Sequence, residues 1–415
     1  MASNLRIFQL IKEKDSKFNL KNLEAFIFAF CLFLLTPPFF VWHSISPLIL
    51  VLICSLLSIN NFNHKERFTI EFFVAFLFIY LYAAFNNQQN ILSIIAILVV
   101  VTLLITSSDF LKNVFTKYIY IFSITLIPSI IFFLAINFFR IDIPHSIITP
   151  LNTFKDYSYT QYYFLVQAND PLDISRHRFF GMYDEPGVIG TISAVILLST
   201  GFNLKRKINI PIFIAGILSF SFAFYMITLV YGFIFLRLKY KFILAIMIIG
   251  VVILFSENEL LNKNIFSRFE YSNGKIAGDN RTSEKFEKFY EKYSSSSDFY
   301  FGLGANASLE KNEGGASYKD LIVNNGIIFF ILFSGLCILR AFSQIQLKKE
   351  FFIYLLILFS ILYQRPFITE YFYFFLILAP VPFFSNSIFE DRFNQTIDKK
   401  DIFRKLIKKQ TIRKV

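Results

Sequence analysis

The sequence predicts an all-α polytopic membrane protein with about twelve transmembrane helices and two long periplasmic loops. Three observations support this fold class. Only 17% of the 415 residues are charged and 55% are hydrophobic, whereas a soluble domain carries about 25% charged residues. The apolar residues form long blocks instead of alternating patterns, which is typical of helices that cross a bilayer. The short segments between the blocks are rich in Lys and Arg, in a chain with a formal net charge of +12.

The apolar blocks predict twelve helices in chain order. Their boundaries lie where charged or turn-forming residues begin. The predicted helices cover residues 23–41, 45–60, 68–85, 91–107, 118–139, 187–203, 208–218, 220–236, 241–256, 320–342, 350–363 and 367–384.

Residues 208–236 form one apolar block, which we divide into two helices. A single helix of this length would measure about 43 Å, whereas the hydrocarbon core is only ~30 Å thick. Basic clusters flank the block at 205–207 and 237–241. A single span would place one cluster on each side of the membrane. Two spans joined by a turn near 219–221 place both clusters in the cytoplasm.

The distribution of Lys and Arg predicts the orientation of the chain. Short loops that are rich in basic residues stay in the cytoplasm. With a cytoplasmic N-terminus and twelve spans, every short basic segment lies inside, and the short outer loops contain one basic residue, Arg365. The sequence therefore predicts a multi-pass protein of the bacterial inner membrane with both termini in the cytoplasm.

This topology divides the chain into seven segments. They are a cytoplasmic N-terminal segment at 1–22, helices one to five at 23–139, a first periplasmic loop at 140–186, helices six to nine at 187–256, a second periplasmic loop at 257–319, helices ten to twelve at 320–384, and a basic cytoplasmic tail at 385–415. The tail is expected to contact anionic lipid headgroups or to be solvated. Loops as long as the two periplasmic ones are usually functional or disordered.

The first periplasmic loop, called loop one below, contains a run of aromatic residues. Tyr159, Tyr162 and Tyr163 belong to this run. The apolar faces of sugar rings stack on such side chains, so these tyrosines are candidates for sugar contacts. The alternative is an aromatic belt at the membrane interface, where Tyr is enriched.

Loop one ends in a dense group of charged residues directly before a predicted helix. Arg176, Arg178, Asp184 and Glu185 lie within ten residues of one another. A guanidinium is a planar fork of donors that matches phosphate oxygens and stays charged. Nearby glycines at 181 and 187 permit turns that other residues resist. This pattern favours an anion-binding site, and the alternative is a rim that binds lipid headgroups.

The second periplasmic loop, called loop two, contains a predicted surface helix over about 284–293. Four aromatic residues share one face of it: Phe286, Phe289, Tyr290 and Tyr293. Asn280 or Thr282 can cap its N-terminus, and the aromatic face is expected to lie on the membrane or on loop one. Arg281 stands at the helix start, where the helix dipole favours an anion. The Gly-x-Gly turn at 302–304 follows no strand and is therefore no dinucleotide fingerprint.

Several classes of site find no support in the sequence. The chain contains neither a P-loop nor an Asp-x-Asp motif, and its four histidines and three cysteines lack the spacing of metal ligands. No nucleophile elbow occurs. The topology explains the basic clusters better than a nucleic-acid partner does. We therefore expect no metal, no cofactor and no nucleic acid.

The layout and the two loops resemble the superfamily of O-antigen polymerases (Wzy-type) and O-antigen ligases. The long outer loops are the third and fifth, as in that family. Ten residues separate Arg176 from Gly187, which is similar to the Arg–x10–Gly pattern of such polymerases. Loop two contains Asn280 and Arg281, then aromatic residues, the turn at 301–304 and the segments 317–320 and 324–327, in an order that resembles the C-terminal core motif of the family.

Two departures from the family pattern bear on the choice of activity. Loop two lacks an Arg–x10–Gly spacing, because Lys292 stands where the glycine would be. Ser317 stands about where the ligases carry a histidine, just before the tenth span. The second departure favours a polymerase over a ligase.

The resemblance implies a metal-independent membrane glycosyltransferase that polymerises lipid-linked oligosaccharide repeat units of O-antigen or a related surface polysaccharide. The donor would be glycan on undecaprenyl pyrophosphate, at the periplasmic face. Under this interpretation the pyrophosphate-binding residues are Arg176, Arg178, Arg281 and Arg365. The catalytic candidates are Glu185 or Asp184 as the base, with Arg281. Implied partners are the undecaprenyl-pyrophosphate-linked oligosaccharide, membrane lipid and, as a further candidate, a chain-length regulator protein.

Three other functions stay open. An O-antigen ligase would transfer the finished glycan to the lipid A core. A lipid-glycan flippase would also have about twelve spans, but with short outer loops and charged residues inside the bundle. This chain instead concentrates charge in two outer loops. A non-catalytic scaffold would not need arginines at the ends of its loops.

Overall fold

In the computed structural model the chain is mostly helical. The described residues are 20–36, 47–62, 69–86, 98–149, 158–169, 178–183, 185–236, 238, 241, 271–272, 275–276, 283–304, 307, 317–365, 367–368 and 370–385. The N-terminal segment up to residue 19, the helix at 241–256 apart from its first residue, and the tail from 386 onward are predictions that lie outside the described residues.

The helices follow the apolar blocks of the sequence. In chain order they are α1 (20–34), α2 (Pro47–Asn60), α3 (Thr69–Asn86), α4 (Ser108–Asn137), α5 (Pro186–Ser199), α6 (Asn209–Leu218), α7 (Phe222–Phe235), α8 (Glu284–Ser294), α9 (Asp298–Phe301), α10 (Tyr318–Gln344), α11 (Lys348–Gln364), α12 (Tyr371–Leu378) and α13 (Val381–Ser385). Residues 98–101 are also helical and lead into a 3₁₀ turn at Thr102–Ile105.

Two helices differ from their predicted bounds for identifiable reasons. Helix α4 begins at Ser108 instead of 118, because the polar residues of its first turns, including Lys112, interrupt the apolar pattern without preventing a helix. The predicted helix 367–384 is divided into α12 and α13 by a turn at Ala379 and Pro380. Proline lacks the N–H that an uninterrupted helix would use.

The predicted break near 219–221 is confirmed. Ser219 and Phe220 form a turn between α6 and α7, with Phe220 at a φ of 45°. The helices approach each other closely beside this turn, since a Cβ on Gly216 would lie 2.3 Å from the ring of Phe224. Helix α7 therefore folds back beside α6 and does not continue it.

Two described helices, α4 with 30 residues and α10 with 27, are long and apolar enough to cross a membrane. Shorter apolar segments of the same kind cover Pro47–Asn60, Thr69–Phe85, Pro186–Ser199, Asn209–Leu218, Phe222–Phe235 and Tyr371–Phe384. These apolar helices suggest association with a membrane. The arrangement of twelve spans stays a prediction.

The helices divide into a buried centre and an apolar outer layer. Every residue of α5 and of α12 is buried. In contrast, α4 and α10 expose large apolar side chains, among them Ile124, Ile131, Ile331 and Leu339. Exposed apolar surface on this scale is typical of contact with lipid or with another protein.

Hydrogen bonds tie the helices together at two opposite ends of the bundle. At the end where α1 begins, the bonded pairs are Glu24 with Asn60, Asn22 with Asn113, and Arg340 with Leu104. At the other end, the pairs are Tyr82 with Phe301, and Glu185 with Arg365. This separation is expected when successive helices run in alternating directions.

Loop one contains a small sheet that the all-α prediction did not include. Strands β1 (Ser146–Ile148), β2 (Ser158–Gln161) and β3 (Val166–Asn169) pair antiparallel in that order. Tyrosine, threonine and valine fit such a pleated surface. A second, two-stranded sheet pairs β4 (Tyr271–Ser272) with β5 (Lys275–Ile276).

Loop two contains the predicted helix, here α8, but its aromatic face packs differently from the prediction. Phe286 and Tyr293 are buried against Ile322 and Val323 of α10, and not against the membrane or loop one. The N-cap is Ser283, whose hydroxyl accepts a hydrogen bond from the backbone N–H of Phe286 at 3.0 Å. The predicted caps, Asn280 and Thr282, lie outside the described residues.

Candidate functional site

An ion pair joins loop one to the last outer turn at one end of the bundle. Glu185 is the N-cap of α5, and Arg365 is the C-cap of α11. A guanidinium nitrogen of Arg365 lies 2.5 Å from Oε2 of Glu185, across 180 positions of sequence. The Arg365 side chain is 6% exposed and that of Glu185 is 30% exposed. The pair is therefore enclosed on the arginine side and open to solvent on the glutamate side.

The local sequence explains why Glu185 points away from the helix that follows it. Pro186 occupies the first turn of α5, where its fixed φ suits a helix start and its missing N–H is not needed. Glu185 itself is extended, with φ −143° and ψ 135°. The predicted turn at Gly181 is present, with a φ of 58°. Gly187, by contrast, lies inside α5 and forms no turn.

Arg178 holds the turn between α6 and α7. Its Nε donates to the carbonyl of Ser219 at 3.2 Å, and one terminal nitrogen donates to the carbonyl of Phe220 at 3.3 Å. The backbone N–H of Phe179 adds a bond to the carbonyl of Leu218 at 3.0 Å. Arg178 therefore has a structural role in this turn. Two of its N–H donors bind the turn and are not free to bind a pyrophosphate, which is the contact that the sequence predicted for this residue.

Glu370 lies in the turn just before α12, near Arg365. Its backbone N–H bonds the carbonyl of Phe367 at 3.0 Å, and the hydroxyl of Tyr80 fixes the same turn through the carbonyl of Ile368 at 2.7 Å. The residue as a whole is exposed to solvent, yet the protein packed around its carboxyl raises the pKa of that group to about 7, and the charge of Arg365 opposes this rise. Glu370 can therefore exchange a proton near neutral pH.

An apolar groove of about 580 Å³ lies along α7, α10 and α11. Its walls come from α7, the start of α10 and α11, with Phe222, Val230 and Phe359 among the lining residues. Tyr363 and Gln364 line its polar end, and Gln364 directly precedes Arg365 in the chain. The groove therefore runs along α11 up to Gln364, one residue before the arginine of the ion pair.

A smaller cavity of about 290 Å³ lies on loop one. It is lined by Pro144, His145, Ser146, Gln161, Tyr162 and Tyr163. The pairing of β1 with β2 places Ser146 opposite Gln161, which explains how residues 15 positions apart meet. The sequence carried no signal for His145, which lies near no motif, and Gln161 lies within the aromatic run without being aromatic itself.

The three tyrosines predicted to contact sugar have different environments. Tyr163 is 66% exposed, whereas Tyr159 is completely buried beside Phe180 and Val166. The ring of Tyr162 lies 5.5 Å from that of His145. A sugar contact therefore suits Tyr162 and Tyr163, and it does not fit the burial of Tyr159, which forms the core of the small sheet.

The two glycine segments of loop two and α10 have a structural explanation. Gly302 and Gly326 have φ values of 88° and 85°. A Cβ on Gly302 would lie 2.5 Å from the carbonyl oxygen of Asn324, and a Cβ on Gly326 would lie 2.3 Å from that of Tyr300. The N–H of Leu303 then bonds the carbonyl of Val323 at 2.8 Å. The two segments are therefore locked together backbone to backbone.

Three predicted site residues, Arg176, Asp184 and Arg281, lie outside the described residues, so their roles stay predictions. Within the described part of the chain, no group of three or more His, Cys, Asp or Glu side chains is placed to hold a metal ion. Comparisons with protein-family models, curated proteins and solved structures found no match. The function must therefore be argued from the site itself.

Proposed function

We propose that this chain polymerises lipid-linked oligosaccharide repeat units by glycosyl transfer from undecaprenyl pyrophosphate at the periplasmic face of the inner membrane. The observation that carries the proposal is the ion pair of Arg365 with Glu185, at the open end of a buried helix and beside an apolar groove. A lipid-linked pyrophosphate complements this arrangement, because its apolar chain suits the groove and its compact anion suits the guanidinium of Arg365.

The proposal includes the twelve-span arrangement predicted from the sequence. Under it, the end of the bundle with Glu24 and Asn60 faces the cytoplasm, and the end with Glu185 and Arg365 faces the periplasm. The hydrogen-bonded pairs at each end support this arrangement, since each pair joins segments that the topology assigns to one side. Both termini would then be cytoplasmic.

In the proposed reaction, a hydroxyl of the acceptor sugar attacks the anomeric carbon of the donor glycan. A new glycosidic C–O bond forms, the C–O bond to the pyrophosphate breaks, and the hydroxyl proton passes to a base. Negative charge grows on the departing pyrophosphate. Arg365 is the described group best suited to stabilise it, because a preorganised donor in an enclosed site acts most strongly on developing charge.

The ion pair changes the role that we propose for Glu185. Its carboxylate is engaged by Arg365, so we assign it the positioning of the guanidinium instead of proton abstraction. Glu370 is the better base among the described residues, since its pKa of about 7 lies near the working pH, where a general base is most effective.

The two cavities support the proposed substrate. The apolar groove offers a surface for the polyprenyl chain, and Gln364 among its lining residues directly precedes Arg365, which would take the pyrophosphate. The loop-one cavity offers tyrosine rings and the Gln161 amide for a sugar. Ser317, which stands where ligases carry a histidine, accepts a hydrogen bond from the N–H of Lys319 as the N-cap of α10. The absence of the histidine, and not this capping role, is what favours a polymerase over a ligase.

The banding pattern of lipopolysaccharide from a deletion strain tests the proposal. A polymerase deletion leaves core lipid that bears a single repeat unit and no ladder. Loss of a ligase leaves bare core while lipid-linked polymer accumulates, and loss of a flippase removes both single units and polymer from the surface. Bare core would overturn our assignment, and a normal ladder would exclude any required role in polymerisation.

A further inference from the structure

A second polar cavity, of about 620 Å³, lies at the opposite end of the bundle from Glu185 and Arg365. It is formed by the first turns of α4, the loop between α5 and α6, and α13. Thr200 at the end of α5 and Asn209 at the start of α6 both line it. Because α5 begins at the ion pair and ends at this cavity, the two sites are separated by the length of that helix.

Three basic residues, Lys112, Arg206 and Lys207, line this cavity, and no carboxylate is among its described lining residues. Lys112 is half-buried, and its ammonium lies 5.9 Å from the centre of the Phe383 ring. Arg206 and Lys207 are exposed at the rim. This concentration of positive charge among the described lining residues is complementary to a phosphate.

One residue that lines the cavity contains an unused hydrogen-bond acceptor. Asn209 is completely buried, and its Nδ2 donates to Thr200 Oγ1 and to the carbonyl of Asn203, both at 3.0 Å. Its Oδ1 has no hydrogen-bond partner among the described residues. A buried acceptor without a partner is costly, and a ligand with a hydroxyl or ammonium donor would satisfy it.

Apolar side chains form the remaining wall. Ile119 and Phe383 are buried, whereas Tyr120 is half exposed on the outer surface of α4. The same surface of α4 exposes Ile124 and Ile127 one and two turns further along the helix. The cavity therefore opens onto a continuous apolar surface, which a soluble anion would not need but an acyl chain would contact.

From these observations we infer that the cavity binds the headgroup of an anionic phospholipid of the cytoplasmic leaflet, of the glycerol-bearing class. The phosphate is held by Lys112, Arg206 and Lys207, and a headgroup hydroxyl donates to Oδ1 of Asn209. Basic pockets between helices at the cytoplasmic side are known to select such lipids. The inference rests on the proposed membrane placement of the chain and not on the proposed glycosyl transfer.

The test is a lipid titration of the full-length purified protein in detergent, read as retained lipid by native mass spectrometry and as a shift in melting temperature. The probes are phosphatidylglycerol, phosphatidylcholine and inorganic phosphate. The test variant is the triple substitution Lys112→Gln, Arg206→Gln and Lys207→Gln. The control removes the same charge from basic residues that do not line the cavity: Lys117→Gln, Lys205→Gln and Lys348→Gln.

We expect phosphatidylglycerol to bind and stabilise the natural chain, with phosphatidylcholine and inorganic phosphate much weaker. Each basic residue beside an anionic lipid contributes about fivefold in affinity, so the triple variant should bind on the order of a hundredfold more weakly. The control should retain most of the affinity. If the triple variant does not fold, Arg206→Gln alone, at an exposed loop position, should still show the loss of about fivefold.

Three results would overturn the inference. Equal losses in the triple variant and the control would mean a diffuse charge effect without a site. Equal stabilisation by inorganic phosphate would mean a site for a free anion. Equal binding of phosphatidylcholine would exclude headgroup selection. None of these results bears on the banding pattern of a deletion strain, so failure here is distinguishable from failure of the proposed function.

Discussion

Loop one and loop two contact the helices in different ways. Loop one ends in Glu185, whose carboxylate reaches across to Arg365, and it carries a cavity with exposed tyrosine. The described part of loop two instead packs the aromatic helix α8 on α10, and the backbone at Gly302 lies in close contact with the backbone at Gly326. Among the described residues, each attachment contains one ion pair, Glu185 with Arg365 in the first and Glu287 with Lys319 in the second, but only the second also includes the close backbone contact between Gly302 and Gly326. We therefore expect changes in loop one to reduce activity and changes in loop two to reduce stability.

The largest expected effect is that of Arg365→Ala. Losing one preorganised donor to a developing charge typically lowers the rate ~10²–10³-fold, so the glycan ladder should disappear or shorten severely at unchanged protein level. Arg365→Lys should restore only part of it, because an ammonium keeps the charge and loses the planar fork. Arg140→Ala, an exposed arginine of loop one, is the matched control. A normal ladder in Arg365→Ala would remove this residue from the site.

The next effect concerns the pH dependence of polymerisation. With a pKa of about 7, Glu370 is protonated below neutral pH and becomes an available base as the pH rises through 7. The initial rate of polymer formation in proteoliposomes should therefore rise over this range and level off above it. Glu370→Gln should lower the rate on the order of 10²-fold and flatten the rise. An unchanged pH profile in Glu370→Gln would mean that another group accepts the proton of the attacking hydroxyl.

A smaller effect, now on stability, is expected for Gly326→Ala in the packed region. The φ of 85° and ψ of 160° at this position are open almost only to glycine, and the added Cβ would lie 2.3 Å from a carbonyl oxygen. We expect a loss of about 3 kcal/mol or more, visible as a lower melting temperature. Gly335→Ala is the control within the same helix, since a Cβ there has no neighbour within 4 Å. Equal melting temperatures would contradict the glycine lock.

The smallest effect should come from Tyr163→Ala in loop one. Tyr163 is 66% exposed, so its removal should leave the melting temperature unchanged. An aromatic contact contributes about 0.5–1.5 kcal/mol, which corresponds to a rate or affinity loss of about tenfold at most. A drop in melting temperature without any loss of activity would reverse the contrast between the two loops.

The sequence predicted the elements that depend on local pattern. Long apolar blocks located α2 and α3, and the charges on both sides of 208–236 required a break, which the turn at Ser219 provides. A lone apolar block is enough for these predictions because a helix satisfies its own backbone groups. The start of α4 was missed because Lys112 and Lys117 resemble a loop when read without their helical neighbours.

The candidate site was predictable only in part, because its contacts are long-range. Glu185 and Arg365 were each singled out from charge and position, but their pairing across 180 residues depends on how α5 and α11 pack. Tyr159 was selected with its neighbours, and only the strand pairing separates its buried ring from the exposed ring of Tyr163. Residue type indicates chemistry, whereas tertiary packing decides which groups meet.

The short length of α5 has a consequence for the membrane itself. Its 14 residues measure about 21 Å at ~1.5 Å per residue, roughly 9 Å less than a hydrocarbon core. In the proposed orientation, at least one end of this helix lies below the plane of the lipid headgroups. If that end is the one with Glu185, a water-filled depression in the bilayer surface must extend down to Glu185. The local thickness of the bilayer would then influence how easily a lipid-linked pyrophosphate sinks to the depth of Arg365, independently of any side chain.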